Sequence, residues 1–148
     1  MWLAFTQRLA GDMAGAKVTA ERVRNTLERL DGTYQDNVQL AAWLSLTHAV
    51  MGQKESALKE AERATMLLPR GKDALFEPAA EEHLALIQTI FSENNRAIST
   101  LSQLLQTPYN SWYHSPAPIT PALLRLDPIW DPLRSDPRFQ KLCEEKQP

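Results

Sequence analysis

The sequence lacks the features that mark several large classes of protein. Its 148 residues contain a single cysteine, which excludes an internal disulfide and the small secreted scaffolds that depend on such bonds. No apolar stretch approaches the roughly 20 residues that a membrane-spanning helix needs. A formal net charge of −2 gives the chain no general attraction to nucleic acid or to an anionic membrane surface. We therefore expect neither a nucleic-acid partner nor a membrane partner.

The first ten residues also lack the basic leader and the long apolar run of a secretory signal. Thr6, Gln7 and Arg8 interrupt the apolar residues, which recur at positions 2, 5 and 9 as they do along one face of a helix. This pattern predicts a protein of the cytoplasm whose chain is already helical at its first residues.

Proline is almost absent from the first part of the chain. Two of the ten prolines precede residue 108, and the other eight lie from there onward. Proline lacks a backbone donor and clashes with the preceding turn, so it interrupts a helix. The first 107 residues are therefore free to be nearly all helical, whereas the last 41 cannot hold long helices.

A repeated spacing is the strongest signal in the sequence. Gly11, Gly52 and Ser92 each precede an alanine by five residues, and those alanines, at positions 16, 57 and 97, are 41 and 40 residues apart. A near-constant period of this size is typical of helical solenoids, in which each helix pair packs against the next. The spacing predicts three helix pairs, at 1–10 with 13–30, 37–51 with 54–68, and 78–91 with 94–107.

Residues near the ends of these helices fit their predicted places. Gly32 is expected to end the first pair as a left-handed cap, and Pro69 lies just past the end of the second. Pro78 suits the first position of the next helix, where its missing donor costs nothing. Glu81 and Glu82 then fall in the first turn, where the helix dipole favours a carboxylate, and this role is preferred over a catalytic pair of acids.

The second helix pair resembles a tetratricopeptide repeat (TPR). It carries small, apolar and turn residues at the spacings of that family, namely Leu44-Ser45, His48, Gly52, Ala57, Ala61, Ala64 and Pro69. The other two pairs match in part. The chain departs from the family pattern in its period, which exceeds the usual ~34 residues. It also departs at the aromatic position of the first helix, where it has Gln7, His48 and Gln88.

The resemblance implies an all-α, TPR-like superhelix of three repeats, approximately 1–32, 37–69 and 78–108, with the first of them truncated. It also implies a non-catalytic scaffold whose partner is a protein or peptide. Residues 124–139 are similar to the carboxy-terminal end of TPR-type regions in large bacterial signalling proteins that contain a kinase, a nucleotide cyclase or a winged-helix domain. The chain is then expected to be the regulatory or docking part of such a protein.

Residues 109–148 are predicted to form a loop and short helices that cap the last repeat. Four pairs of a capping residue and a proline mark helix starts, at Thr120-Pro121, Asp127-Pro128, Asp131-Pro132 and Asp136-Pro137. The apolar side chains that either cover the third pair or recruit a partner are Leu123, Leu124, Leu126, Ile129, Trp130, Leu133, Phe139 and Leu142. Trp112-Tyr113-His114 is expected to anchor the loop on the third pair rather than to act as an aromatic docking knob.

In the resembled family, the first helices of successive repeats line a concave groove that binds peptides. By register, this groove would be lined by Phe5, Arg8, Leu9, Gln39, Ala42, Trp43, Leu46, Val50, Glu82, His83, Leu86 and Ile90. The lining is mostly apolar, which suits an amphipathic helix. Two other interpretations stay open, namely that these residues belong to the packed core or that further repeats fill the groove.

No catalytic motif accompanies the predicted helices. The three histidines lack the spacing of metal ligands, Arg70-Gly71-Lys72-Asp73 lacks the rest of a phosphate loop, and Cys143 has no histidine near it in the sequence. We therefore expect no enzyme activity, no cofactor and no metal. The alternatives to a scaffold are a small-ligand sensor with a cleft beside Trp43, His48 and His83, and a non-catalytic subunit of an enzyme complex.

Overall fold

Tight turns and capped starts divide the chain into consecutive helices. The computed structural model describes residues 1–33, 36–68, 76–113 and 117–144, and within these ranges the chain is all-α, without a strand. The α-helices are α1 (Trp2–Leu9), α2 (Met13–Asp31), α3 (Val38–Val50), α4 (Lys54–Leu67), α5 (Glu77–Ile90), α6 (Asn94–Leu104), α7 (Pro121–Leu126) and α8 (Pro137–Glu144). A 3₁₀ helix, Pro128–Leu133, lies between α7 and α8.

These helices form two compact units, residues 1–67 and residues 68–148. In the first unit, α1 packs on α2 and α3, and α3 also packs on α2 and α4. Three neighbours explain why α3 is largely apolar. It buries Ala41, Ala42, Leu44, Leu46, Ala49 and Val50. In the second unit, α5 packs on α6 and on the 3₁₀ helix, and α8 packs on α6 and α7.

The three predicted helix pairs are present as α1–α2, α3–α4 and α5–α6. The largest difference in their bounds is at α6, which ends at Leu104 instead of at residue 107. Ala16, Ala57 and Ala97, which define the repeated spacing, are all fully buried. A methyl group at these positions lets the two helices of a pair approach closely, which is the physical reason for the repeated alanine.

The same turn joins the two helices of each pair. Gly11 and Gly52 have positive φ angles of 84° and 77°, and Ser92 at the equivalent position has a φ of 60°. In each turn this residue's amide donates to the carbonyl three residues earlier, and the next amide donates to the carbonyl five residues earlier, at 2.8–3.1 Å. This is the Schellman arrangement, which satisfies the last carbonyls of the first helix. The predicted turns are therefore confirmed at all three positions.

Replacing Ser92 with glycine is expected to raise the free energy of unfolding by about 0.5–1 kcal/mol, because glycine adopts a positive φ without the clash that a Cβ causes. The reverse change, Gly52→Ala, is expected to lower it by about 1 kcal/mol. Nothing lies within 4 Å of the added Cβ at Gly52, so its effect comes from the backbone alone. Urea denaturation measures both, and changes of the same sign would contradict the explanation.

Gly32 differs from its prediction. It has a right-handed conformation, with φ −57° and ψ −22°, so the expected left-handed cap was wrong. The Gly32 amide still donates to the carbonyl of Glu28 at 3.1 Å, so the helical turn continues through this residue. Pro78 is also displaced by one position, because α5 begins at Glu77. Pro69 and the basic turn 70–73 lie outside the described residues.

Three of the four predicted helix starts in the tail are confirmed. The side chains of Thr120, Asp127 and Asp136 each accept a hydrogen bond from an amide two or three residues later, at 2.9–3.1 Å. A helix begins directly after each of them. Each oxygen thus satisfies one of the amides that a helix start leaves without a partner.

The fourth predicted start, Asp131-Pro132, was wrong. Pro132 lies inside the 3₁₀ helix, which therefore runs as one element from Pro128 to Leu133 and does not restart at Asp131. Bonds on either side of the proline hold it, from the Trp130 amide to the Asp127 carbonyl at 3.2 Å and from the Arg134 amide to the Asp131 carbonyl at 3.1 Å. The 3₁₀ helix thus continues past Pro132, which has no amide to donate, through the hydrogen bonds of neighbouring residues.

The tail packs on the α5–α6 pair, with the 3₁₀ helix on α5 and α8 on α6. Of the apolar side chains predicted to cover the third pair or recruit a partner, the buried ones are Leu124, Trp130, Leu133, Phe139 and Leu142, while Leu123 and Ile129 are half-buried. Leu126 differs from the prediction, since it is 71% exposed. None of the helices in the described ranges is both long enough and apolar enough to cross a membrane.

Candidate functional site

The residues predicted to line a groove divide between surface and core. The buried ones are Phe5, Ala42, Leu46 and Val50 in the first unit, and Glu82, His83 and Leu86 in the second. The others, which are exposed or half-buried, are Arg8, Leu9, Gln39, Trp43 and Ile90. A buried side chain is not available to a partner in this conformation, so the accessible part of the predicted lining lies mainly on α1 and α3.

An aromatic patch joins α1 and α3 in the first unit. We use this name for Trp2, Phe5, Leu9 and Trp43. Trp2 packs edge-on against Trp43, with ring centroids 5.6 Å apart and an angle of 90° between the planes, and its ring centroid lies 6.3 Å from that of Phe5. Trp2 is 43% exposed and Leu9 is 44% exposed, whereas Phe5 is buried. Trp2 lies on the helical stripe that the sequence predicts for α1, but it was not among the residues predicted to line the groove.

Polar residues border the aromatic patch. Gln39 is exposed one turn before Trp43 on α3. Arg8 lies beside Leu9 at the end of α1, where it is half-buried, and burial lowers the pKa of its guanidinium. Among the described residues no acidic side chain pairs with Arg8. A partly desolvated cation beside an apolar surface favours a ligand that brings an acidic group.

The second unit contains a buried polar cluster, which consists of Glu82 and His83 on α5 and of Tyr109, Ser111 and Tyr113 from the segment after α6. Glu82 is 0% exposed. The hydroxyls of Ser111 and Tyr109 are close enough to stabilise its charged form. No described group, however, reaches full hydrogen-bonding geometry with either carboxylate oxygen.

Burial controls the ionisation of Glu82. It raises the pKa of the carboxyl group from 4.5 to about 7, while the hydroxyls of Ser111 and Tyr109 lower that pKa by less, and the carboxylate of Asp127 raises it further. The Tyr109 hydroxyl accepts a hydrogen bond from the Ile119 amide at 3.3 Å, which leaves its own proton to face Glu82. Glu82 was expected as a carboxylate in the first turn of its helix, and this was wrong. The helix α5 begins at Glu77, so Glu82 lies beyond the first turn, and the returning segment removes it from water.

His83 fixes the other end of the same segment. Its Nδ1 forms a hydrogen bond with the hydroxyl of Tyr113, and the two rings are nearly parallel, with centroids 6.0 Å apart. The ring of Trp112 lies 6.1 Å from His83. The prediction that this aromatic segment anchors the loop on the third helix pair is confirmed for Trp112 and Tyr113, and His114 lies outside the described residues.

The residues of the predicted sensor cleft have contacts within their own units. The Nδ1 of His48 lies 2.7 Å from the Oε1 of Gln53, in the turn after α3. His83 is bonded to Tyr113, and Trp43 belongs to the aromatic patch. In the part of the chain that the structure describes, no three His, Cys, Asp or Glu side chains are close enough together to hold a metal ion.

The buried cluster depends on contacts between Glu82 and the segment after α6, and the sequence predicted only the general position of that segment. The loop was expected on the third helix pair, but the pairing of Tyr109 and Ser111 with Glu82 has no spacing signal, since it joins residues more than 25 positions apart. These features define an all-α protein of consecutive helix pairs with one surface patch and one buried cluster. No protein-family model, curated protein or solved structure matches the chain.

Proposed function

We propose that the chain is a TPR-like protein–protein interaction module that binds an amphipathic helix through the aromatic patch. The observation that carries the proposal is the exposed contact between Trp2 and Trp43, which lie on the first helices of two successive pairs. In the TPR family, the first helices form the peptide-binding side. The equal turns and the buried alanines at equivalent positions also support a repeat of this kind.

The chemistry of the patch suits one face of a helix. The two indole rings and Leu9 provide an apolar surface, and tryptophan is enriched among residues that dominate binding energy. Arg8 adds a positive charge at one end of the patch. The preferred ligand therefore has apolar side chains three or four residues apart and an acidic side chain near the end that meets Arg8.

The wider role rests on the likeness of the tail. Residues 124–139 are similar to the end of TPR-type regions in bacterial signalling proteins, so the proposed module serves as the regulatory or docking part of such a protein. Its ligand is then a helix of the same polypeptide or of a partner.

A display library of helical peptides tests the proposal. Peptides selected on the folded chain are expected to share the apolar spacing and the acidic end, and one of them then serves as a defined probe. Leu9→Glu is expected to weaken binding of that peptide at least about tenfold, because it places a charge on the apolar surface. The dissociation constant is measured by fluorescence anisotropy of the labelled peptide.

Met66→Glu is the matched control, since Met66 is 70% exposed on α4, outside the patch, and receives the same charge. It is expected to leave binding unchanged. Equal binding by the wild type and Leu9→Glu would contradict the proposal, as would chemical-shift changes on binding that fall outside α1 and α3.

A further inference from the structure

A short segment of the second unit, Tyr109–Tyr113, lies on α5 over Glu82 and His83. We propose that this segment is a proton-gated cover of α5, held in place while Glu82 is protonated and released when Glu82 loses its proton. The proposal concerns the second unit alone and does not depend on the aromatic patch of the first.

The segment is attached to α5 mainly through side chains. Tyr113 bonds to His83, and the hydroxyls of Tyr109 and Ser111 face Glu82. Within the segment, the Tyr113 amide donates to the Ser111 hydroxyl at 3.0 Å. The segment belongs to no helix, so lifting it breaks no helical ladder. It is therefore the neighbour of Glu82 that moves at least cost.

The surroundings of Glu82 favour its neutral form on balance, although the two hydroxyls that face it favour the charged form. Burial is the largest effect on its pKa, and the negative charge of Asp127, at the start of the 3₁₀ helix, acts in the same direction. Burial raises the pKa values of Tyr109 and Tyr113, and the charge of ionised Glu82 raises them further, so both phenols stay neutral beside it. The two facing hydroxyls offset only part of this.

The other elements packed on α5 direct their charges elsewhere. Arg96, the one ionisable residue of α6, pairs with Glu93 at 3.1 Å. Asp131, the one ionisable residue within the 3₁₀ helix, pairs with Arg134. Among the described residues no cation contributes to the pKa of Glu82. A buried carboxylate in such surroundings is strongly disfavoured, and exposure to water relieves it.

The position of Trp112 reports whether the cover is in place. The full chain is labelled with 5-fluorotryptophan, and the ¹⁹F resonance of Trp112 is assigned by its absence in Trp112→Phe. This resonance is then followed from about pH 5.5 to about pH 8.5. In the wild type we expect it to move from the docked to the free position with a midpoint near neutrality, with at least a tenfold rise in the released fraction. The resonance of Trp130, which is 0% exposed, is expected to stay constant and shows that the unit remains folded.

Three variants distinguish the role of Glu82 from a general effect of pH. In Glu82→Gln the Trp112 resonance is expected to stay docked at every pH, whereas Glu81→Gln, which removes the neighbouring charge, is expected to keep the wild-type transition. Asp127→Asn retains a capping oxygen but removes the charge that raises the pKa of Glu82, so release is expected at lower pH. A stationary Trp112 resonance in the wild type, or a transition that Glu82→Gln and Asp127→Asn leave unchanged, would overturn the proposal.

Discussion

Replacement of Trp130 with alanine is expected to lower the free energy of unfolding of the second unit by about 3–5 kcal/mol. Trp130 is the largest of the fully buried side chains, and its helix packs on α5. Removing the indole leaves a cavity and takes away much of the apolar contact that covers the third helix pair. The loss in the free energy of unfolding is measured by urea denaturation, with hydrogen exchange of the α5 and α6 amides as the probe of the second unit.

Two further variants test whether the loss at Trp130 comes from buried apolar area. The indole Nε1 of Trp130 has no partner among the described residues, so Trp130→Phe gives up apolar area but no hydrogen bond. We expect it to cost only about 1–2 kcal/mol. Leu126→Ala removes an apolar side chain that is 71% exposed and is expected to change the stability by less than about 0.5 kcal/mol. A loss at Leu126 as large as that at Trp130 would show that the cap does not pack in this way.

Glu82→Gln is expected to raise the free energy of unfolding by about 2–3 kcal/mol near pH 8.5 and to change it little near pH 4. Folding raises the pKa of Glu82 from 4.5 to about 7. The contribution of neutral Glu82 to the free energy of unfolding is therefore fully present below about pH 4.5 and is lost as the pH rises through about 7. Each unit of pKa change corresponds to about 1.4 kcal/mol, and release of the Tyr109–Tyr113 segment keeps the loss below the full value.

Urea denaturation at several pH values, with and without the substitution, measures this difference. Glu81→Gln is the control, because Glu81 is the neighbouring acid on α5 and is half-buried, whereas Glu82 is fully buried. It is expected to leave the pH dependence of the wild type intact. A wild-type stability that rises between about pH 5 and pH 8 would have the wrong sign for a buried carboxyl group that is neutral when folded.

Local chemistry made the helix pairs and their turns predictable. Gly11, Gly52 and Ser92 occupy a position where the chain must adopt a positive φ, and Gly and small polar residues tolerate that conformation best. The side chains of Thr120 and Asp127 accept hydrogen bonds from amides two or three residues away, so the neighbouring sequence is enough to predict these helix starts. Such features need no knowledge of distant parts of the chain.

Features that depend on distant residues were less predictable. Gly32 was expected to be a left-handed cap but continues the helical turn. Glu82 was expected in the first turn of its helix but is buried under a segment that returns from beyond α6. Leu46 and Leu86 were assigned to an open groove from register, and both are fully buried. A single register does not distinguish the face of a helix that meets solvent from one that meets another helix.

The tether between α6 and the cover has a consequence for any ligand of α5. Tyr109 follows the end of α6 at Leu104 after only four residues. A segment on so short a tether competes with free ligands as though it were present at millimolar concentration. While the segment is in place, the apparent affinity of a free ligand for α5 is therefore weakened by about the ratio of this concentration to the segment's own dissociation constant. The tether thus sets an affinity threshold for access to α5, and proton loss from Glu82 lowers that threshold without altering the ligand.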